Sequence, residues 1–337
     1  MDIWVYRDFT LAGVIPQYTS FEWRRRFTAP GEFSLSLPFT REYFQLLQVG
    51  DVVFHRQHNE AAFVEEVNVI SARDSSRTLT VRGRFVSSLL DRRVVNFSGS
   101  GDFVSIVSTL LQQNFINPTN PNRRVQNLRI VPFAVRASTI SAKLDNDIFL
   151  DRLSSMLLSR SIGLRVDYNT ANRSFDFSLY EGNESGAIFS SEYKNLLEQD
   201  YYKATRNLRT TCYVDEFVYG DEFAGLDRRE IRTMQLEEEG SMSAETTARL
   251  FLLDFRSTET FDAVLNPQSK QFEYGVDWEL GDIVSCRNSD FGIDITKNIL
   301  EIVEYYDLNG LHITVIFGDY LRTLNDQVRS EISWQKG

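Results

Sequence analysis

The sequence predicts an α+β, mainly β, fold of two related β-barrel-like modules separated by an α/β insertion. Three observations carry this. One block of the chain is written twice, apolar and polar residues alternate around it, and helical spacing replaces the alternation between the copies. The first copy runs Gly50-Asp51-Val52-Val53, then Val64-Glu65-Glu66-Val67, then Leu79-Thr80-Val81 with Gly83 behind it. The second runs Gly281-Asp282-Ile283-Val284, then Leu300-Glu301-Ile302-Val303, then Ile313-Thr314-Val315 with Gly318 behind it. Phe33-Ser34-Leu35-Ser36-Leu37-Pro38 leads into one copy, and Phe261-Asp262-Ala263-Val264-Leu265 with Pro267 leads into the other. Blocks recurring in one order mark a duplicated unit, and two copies point to paired domains, not to a solenoid.

The first module is expected over 1–97. Ile3, Val5 and Tyr6 begin a strand, and Phe33, Leu35 and Leu37 alternate with serines, the period of a half-buried strand. Val64–Ile70 and Thr78–Arg82 flank a polar tip at 73–77. An insertion is expected over 98–188, opening on a flexible Ser98-Gly99-Ser100-Gly101 boundary. Phe103, Val107, Leu110 and Leu111 share a helix face, with Ser100 or Asp102 as N-cap. Asp145-Asn146-Asp147 caps a second helix, and Leu164–Tyr168 and Ser174–Tyr180 form a hairpin. Connecting strands and a short helix fill 189–254, a break falls at Glu237-Glu238-Glu239-Gly240, the second module takes 255–324, and 325–337 is a polar tail. Asn309-Gly310 is a strong hairpin signal, because both central residues of a type I′ turn need positive φ.

Composition narrows the class. The 337 residues, 42% hydrophobic and 25% charged, suit about two or three soluble domains. Met1-Asp2-Ile3-Trp4 lacks the start of a secretory signal, and no apolar run nears the ~18–20 residues that span a membrane, so no membrane insertion is expected. Cys212 and Cys286 are too few for a disulfide framework. A net charge of −11 argues against a general nucleic-acid binder.

In this order of parts the chain resembles the baseplate or tail-tip hub proteins of long-tailed bacteriophages, including the amino-terminal structural part of tail-associated lysins. The residues that carry the resemblance are Trp23-Arg24, Gly31 to Leu35 with Pro38, Leu47 with Gly50 to Val53, Phe63–Val67, and Leu79 to Gly83 leading to Leu89-Leu90-Asp91-Arg92-Arg93. Leu280 to Val284 and the Tyr305–Phe317 hairpin match at the far end. The resemblance implies a non-enzymatic homotrimer with no cofactor, made in the host cytoplasm and built into the virion tail tip. Its ring would adapt a hexameric tube above to a threefold tip or fibre below, hold the tape-measure protein inside and pass DNA without binding it. A duplicated module is the simplest way for a threefold object to present a sixfold surface. Gly50, Asp51, Gly281 and Asp282 would then occupy equivalent places on the ring. Family members with lytic activity carry further domains beyond the second barrel, so a tail-associated hydrolase is the enzymatic alternative. A carbohydrate-binding tail protein, with Trp278 or Trp334 stacking on sugars, is the other.

Other constellations are weaker. His55 and His58 with Glu60 make a metal conceivable, but structural zinc needs four ligands, and a solvated loop between strands is the favoured reading. No nucleophile elbow, His-Glu-x-x-His or phosphate-cradling loop is present. Arg24, Arg25, Arg92 and Arg93 are candidates for contacts between subunits, because planar guanidinium groups suit carboxylates across an interface. Glu65, Glu66, Asp215 and Glu216 are candidates for a negative lumen that repels phosphate.

Overall fold

In the computed structural model, which describes residues 2–55, 57–71, 77–136, 138–234, 243–252, 255–266, 269 and 271–318, the alternating segments are strands. Readings made on 73–76, 237–240, Pro267, Trp334 and 325–337 lie outside the described residues. Phe21 and Trp23, Phe33, Leu35 and Leu37, and Leu79 and Val81 point to one side and are buried in a single cluster. Full burial of such a side chain stabilises by about 1.5–3 kcal/mol, which fixes the register of the three strands that supply them.

The fold is mainly β, with helices confined to short stretches. Its largest sheet holds two strand sets with one internal order. In the first set Ser20–Arg26, Glu32–Pro38, Arg77–Arg84 and Glu66–Ser71 lie side by side. In the second the same places are taken by Leu196–Ala204, Thr258–Leu265, Gly310–Gly318 and Ile293–Asp307. Leu196–Ala204, from the stretch read as a connection, is thus the first strand of the second set. The sets join where Ile293–Asp307 pairs antiparallel with Ser20–Arg26. Among the described residues no sheet closes on itself.

The duplication extends to backbone geometry. Gly50 and Gly281 sit at φ +96° and +95°, a conformation that a side chain resists. Gly50 N–H donates to Val64 O at 2.8 Å, and Val64 N–H donates back to Asp51 O at 2.8 Å. Gly281 N–H donates to Ile299 O at 2.8 Å, and Ile299 N–H to Asp282 O at 2.9 Å. Each aspartate also accepts a backbone N–H three residues upstream, from Gln48 at 3.0 Å and from Glu279 at 2.9 Å. Val64 therefore corresponds to Ile299 and Glu66 to Glu301, one residue earlier than the sequence blocks align. The second copy carries a bulge between Ile299 and Glu301, where its ladder with Gly310–Gly318 shifts register.

The insertion contains both expected helices. Asp102 caps Phe103–Leu111 by accepting from Ser105 N–H at 3.0 Å. The second helix is Phe149–Leu158; Asp145, Asn146 and Asp147 end the strand before it, with Asn146 at φ +53°. The Ser98 to Gly101 stretch, expected as a flexible boundary, lies within strand Val94–Asp102 and pairs with Thr139–Ile148. Small residues read as linker locally, while the ladder that orders them lies about forty residues downstream. A further sheet, Thr211–Val214, Phe217–Tyr219 and Glu230–Thr233, packs on helix Ala244–Leu252 through Cys212, Val214 and Ala248. Cys212 and Cys286 are both buried and free.

Candidate functional site

Chemistry concentrates where the two strand sets join. On the open face of the sheet, Arg24 donates to Glu301 at 2.5 Å and to Glu22 at 2.9 Å, and Arg26 donates to Glu301 at 2.9 Å and to Glu32 at 2.8 Å. Glu301 comes from the second set, so two arginines of the first set hold one carboxylate of the other. On the inner face Arg25, 6% exposed, pairs with Glu60 at 2.7 Å and Glu279 at 2.7 Å and donates to Tyr274 Oη at 2.7 Å. Burial works against the Arg25 charge, but Glu60, Tyr274 and Glu279 hold its pKa above the ordinary value. Glu60 is likewise pushed up by burial and brought below its ordinary range by Arg25.

Beside this pair lies a second buried group. Glu304 accepts from His58 Nε2 at 2.6 Å, from Tyr306 Oη at 2.7 Å and from Tyr274 Oη at 2.9 Å. His55 Nε2 lies 3.1 Å from Tyr306 Oη, and His55 Nδ1 accepts from Gln57 N–H at 3.1 Å. The two histidines are thus packed inside the joint, not on a solvated loop, and their acid is Glu304, while Glu60 belongs to Arg25. Burial disfavours the Glu304 carboxylate, yet hydrogen bonds from His55, His58 and Tyr306 hold its pKa well below the usual range. Burial lowers the pKa of His55.

His55, His58 and Glu304 bring candidate ligand atoms within 4.8 Å of one another. The tautomer argues against a cation. A backbone N–H on Nδ1 leaves the proton of a neutral His55 ring on Nε2, where a metal would need a lone pair. The cluster is better described as a hydrogen-bonded lock tying His55, Gln57 and His58 to the end of Ile293–Asp307.

The remaining sequence candidates separate by location. Glu66 lies on the open face, 3.7 Å from Arg82, and Glu65 pairs with Arg84 at 2.8 Å beside it. A shallow groove of about 360 Å³ runs past these residues to Glu22 and Glu32. Further along that face Asp200 sits directly across from Asp262, and burial, then Asp200 and Glu301, push the Asp262 carboxyl up to about 6. Asp215 and Glu216 occupy the turn of the small separate sheet, away from this face. Arg92 stacks over Phe63 with its guanidinium 5.1 Å from the ring centre, and Arg93 donates to Arg123 O at 2.9 Å. Trp278 is 2% exposed and stacks on Tyr274 with centroids 4.7 Å apart, so it offers no platform to a sugar.

Sequence reasoning missed the Glu304, Tyr306 and Tyr274 partners. Their only local signal was an acid and two aromatics near a strand that also carries the repeat.

Comparison with known proteins places this geometry in context. A family model described as siphovirus ReqiPepy6 Gp37-like protein matches residues 1–319. No curated protein sequence matches the chain. The 43 kDa tail protein of prophage MuSo2 from Shewanella oneidensis is similar in structure, with TM-score 0.62, 12% identity, and coverage of 94% of this chain and 97% of that one. A tail protein from Neisseria meningitidis MC58 gives TM-score 0.63 at 13% identity, over 96% and 98% of the two chains. Prophage tail protein gp18 from Listeria monocytogenes EGD-e gives 0.57 at 14% identity, over the whole of both. At these identities the likeness is one of fold.

Proposed function

The chain belongs to the siphovirus ReqiPepy6 Gp37-like family, and on that footing we propose that it is a structural protein of a phage or prophage tail, the hub of its tip or baseplate. Three copies form a ring to which each chain lends both strand sets. A threefold object then offers six similar faces to a hexameric tube above, while its other side receives a trimeric tip or fibre. The tape-measure protein ends inside the ring, and DNA leaves through it.

One observation carries the reading: the two strand sets share one order and are joined first strand to last within one sheet. That head-to-tail contact is heterologous, the kind that generates rings when its rotation closes. The open face adds support. Its four arginines, Arg24, Arg26, Arg82 and Arg84, are each paired with a carboxylate, so the face presents acid and little free cation to a passing phosphate backbone.

Mass measurement of the full chain bound to its tube-end protein tests the reading. Three copies per complex are expected; a stable complex with two would contradict it. Peptidoglycan digestion is the complementary assay, in which hydrolysis by the purified chain would favour the tail-associated hydrolase instead.

A further inference from the structure

Two sets of consecutive arginines differ in what answers them. Arg24, Arg25 and Arg26 are matched by Glu22, Glu32, Glu60, Glu279 and Glu301. Arg92-Arg93 and Arg123-Arg124 meet at the root of the insertion, and among the described residues none of the four pairs with a carboxylate. Arg93 donates to Arg123 O at 2.9 Å and to Arg92 O at 2.8 Å, and Arg123 donates to Val94 O at 2.6 Å and to Asn114 Oδ1 at 3.0 Å. Those acceptors are neutral, so the cations are held in place without being neutralised. The nearby acids are engaged: Asp91 with Arg84 at 2.5 Å, and Asp147, which faces Val95 across the ladder, with Arg152 at 3.0 Å. Burial, then the charges of Arg123 and Arg92, lower the Arg93 pKa, as expected of cations crowded with no acid between them. Arg92 and Arg124 are exposed, while Arg93 and Arg123 are half-buried. Val94 and Ile148, opposite one another on paired strands, are 48% and 42% exposed at the same place.

We infer that this patch is a docking site for an acidic segment of another protein, whose carboxylates are taken by Arg93, Arg123 and Arg124 and whose apolar side chain rests on Val94 and Ile148. The chemistry is the one the chain already uses inside itself, where Arg24 and Arg26 hold the carboxylate of Glu301. Guanidinium groups take carboxylates through two parallel hydrogen bonds, which a lysine cannot do. Arg93 and Arg123 are fixed by their backbone contacts before a partner arrives, so little side-chain freedom is lost on binding. A polynucleotide suits the patch poorly. It would need a longer basic track, and these four arginines stand alone on a chain of net charge −11. The exposed valine and isoleucine also favour a peptide, which brings apolar side chains with its acids. The insertion has no duplicate among the described residues, so the site occurs once per chain and is present whether or not copies form a ring.

Fluorescence anisotropy of the full chain with a labelled peptide of alternating glutamates and leucines tests the chemistry. Binding is expected, weakening as salt rises, and the same peptide with glutamine in place of glutamate should not bind. Arg93→Gln with Arg123→Gln should weaken binding by about tenfold or more. Arg41→Gln with Arg206→Gln removes the same charge from exposed positions elsewhere and should leave binding unchanged. Arg93 and Arg123 also bond to the backbone, so Arg124→Glu, at an exposed side chain, is the variant that separates binding from folding: weaker binding with an unshifted thermal midpoint is expected. Equal losses from both arginine pairs, or no loss from the first, would overturn the inference. So would a single-stranded oligonucleotide that binds more tightly than the peptide and loses affinity with Arg93→Gln and Arg123→Gln. The natural partner is read by a benzophenone photo-cross-linker placed at Ile148 of the full chain in assembled tails. Label on an acidic stretch of a different protein is expected. Label confined to a second copy of this chain would make the patch a contact between subunits, and that result or the absence of any label would overturn the inference.

Discussion

Ser20–Arg26 and Leu196–Ala204 hold the same place in the two strand sets, yet one carries three consecutive arginines where the other has Tyr202, Lys203 and Ala204. The first lies inside the sheet, against Glu301 and Ile302 of the other set; the second lies at an open edge. Backbone place is fixed by what the copies share: the Gly-Asp turn, the Phe-led strand and the hairpin beyond it. Side-chain chemistry is fixed by the neighbour. An arginine run is needed where Glu60, Glu279 and Glu301 must be matched and is superfluous where, among the described residues, no strand pairs on the outer side.

The largest expected effect breaks this contrast at its buried side. Arg25→Met leaves Glu60 buried without a cation and should cost about 3–5 kcal/mol in denaturant unfolding. Lys203→Met, at the corresponding place, should leave the midpoint near that of the unmodified chain. Equal losses would show that the run serves something other than the joint.

Next come the two glycines. Alanine at either must adopt positive φ, which costs about 1–2 kcal/mol. At Gly281 the added methyl also meets the Phe27 ring, whereas at Gly50 it meets nothing within 4 Å. Gly281→Ala should therefore exceed Gly50→Ala by about 1–3 kcal/mol, the cost of overpacking.

Acid separates the joint from the open face. His55 and Glu304 both have folded pKa values below their unfolded ones, so the folded chain binds fewer protons. Their contribution is complete above about pH 6.5, the ordinary histidine value, and shrinks as pH falls. Asp262 has the opposite sign. Its carboxyl is raised from 3.8 to about 6, chiefly by burial, so its ionised form costs stability at neutral pH. Asp262→Asn should raise stability by about 1 kcal/mol at pH 8 and have no effect below about pH 4. Thermal melts across that range check both signs. The smallest effect lies within the first module, where Arg92→Ala loses its stacking on Phe63 and should cost about 0.5–1 kcal/mol.

Much of this was legible in the sequence, for physical reasons that can be named. The Gly-Asp pairs stood out because positive φ and a carboxylate capping backbone N–H groups leave few residue choices. Phe33, Leu35 and Leu37 announced their strand because one face is buried. Leu196–Ala204 was hidden because an open edge lacks that alternation, and Gln199, Asp200 and Lys203 read as solvated. The one-residue offset at Val64 and Ile299 was hidden too, since it is set by the backbone bonds to Gly50 and Gly281, which side-chain pattern does not record. Glu304 could not be matched to His58 from sequence, because 246 residues separate them and only the tertiary pairing of the sets brings them together.

The most direct measurement of the central claim is a density map of the assembled tail tip containing this chain. The account predicts six similar strand sets around one channel, first and second alternating at about sixty degrees, with Gly50 and Gly281 at equal radius. Strand sets at unequal radii, or a chain present in other than three copies, would contradict it.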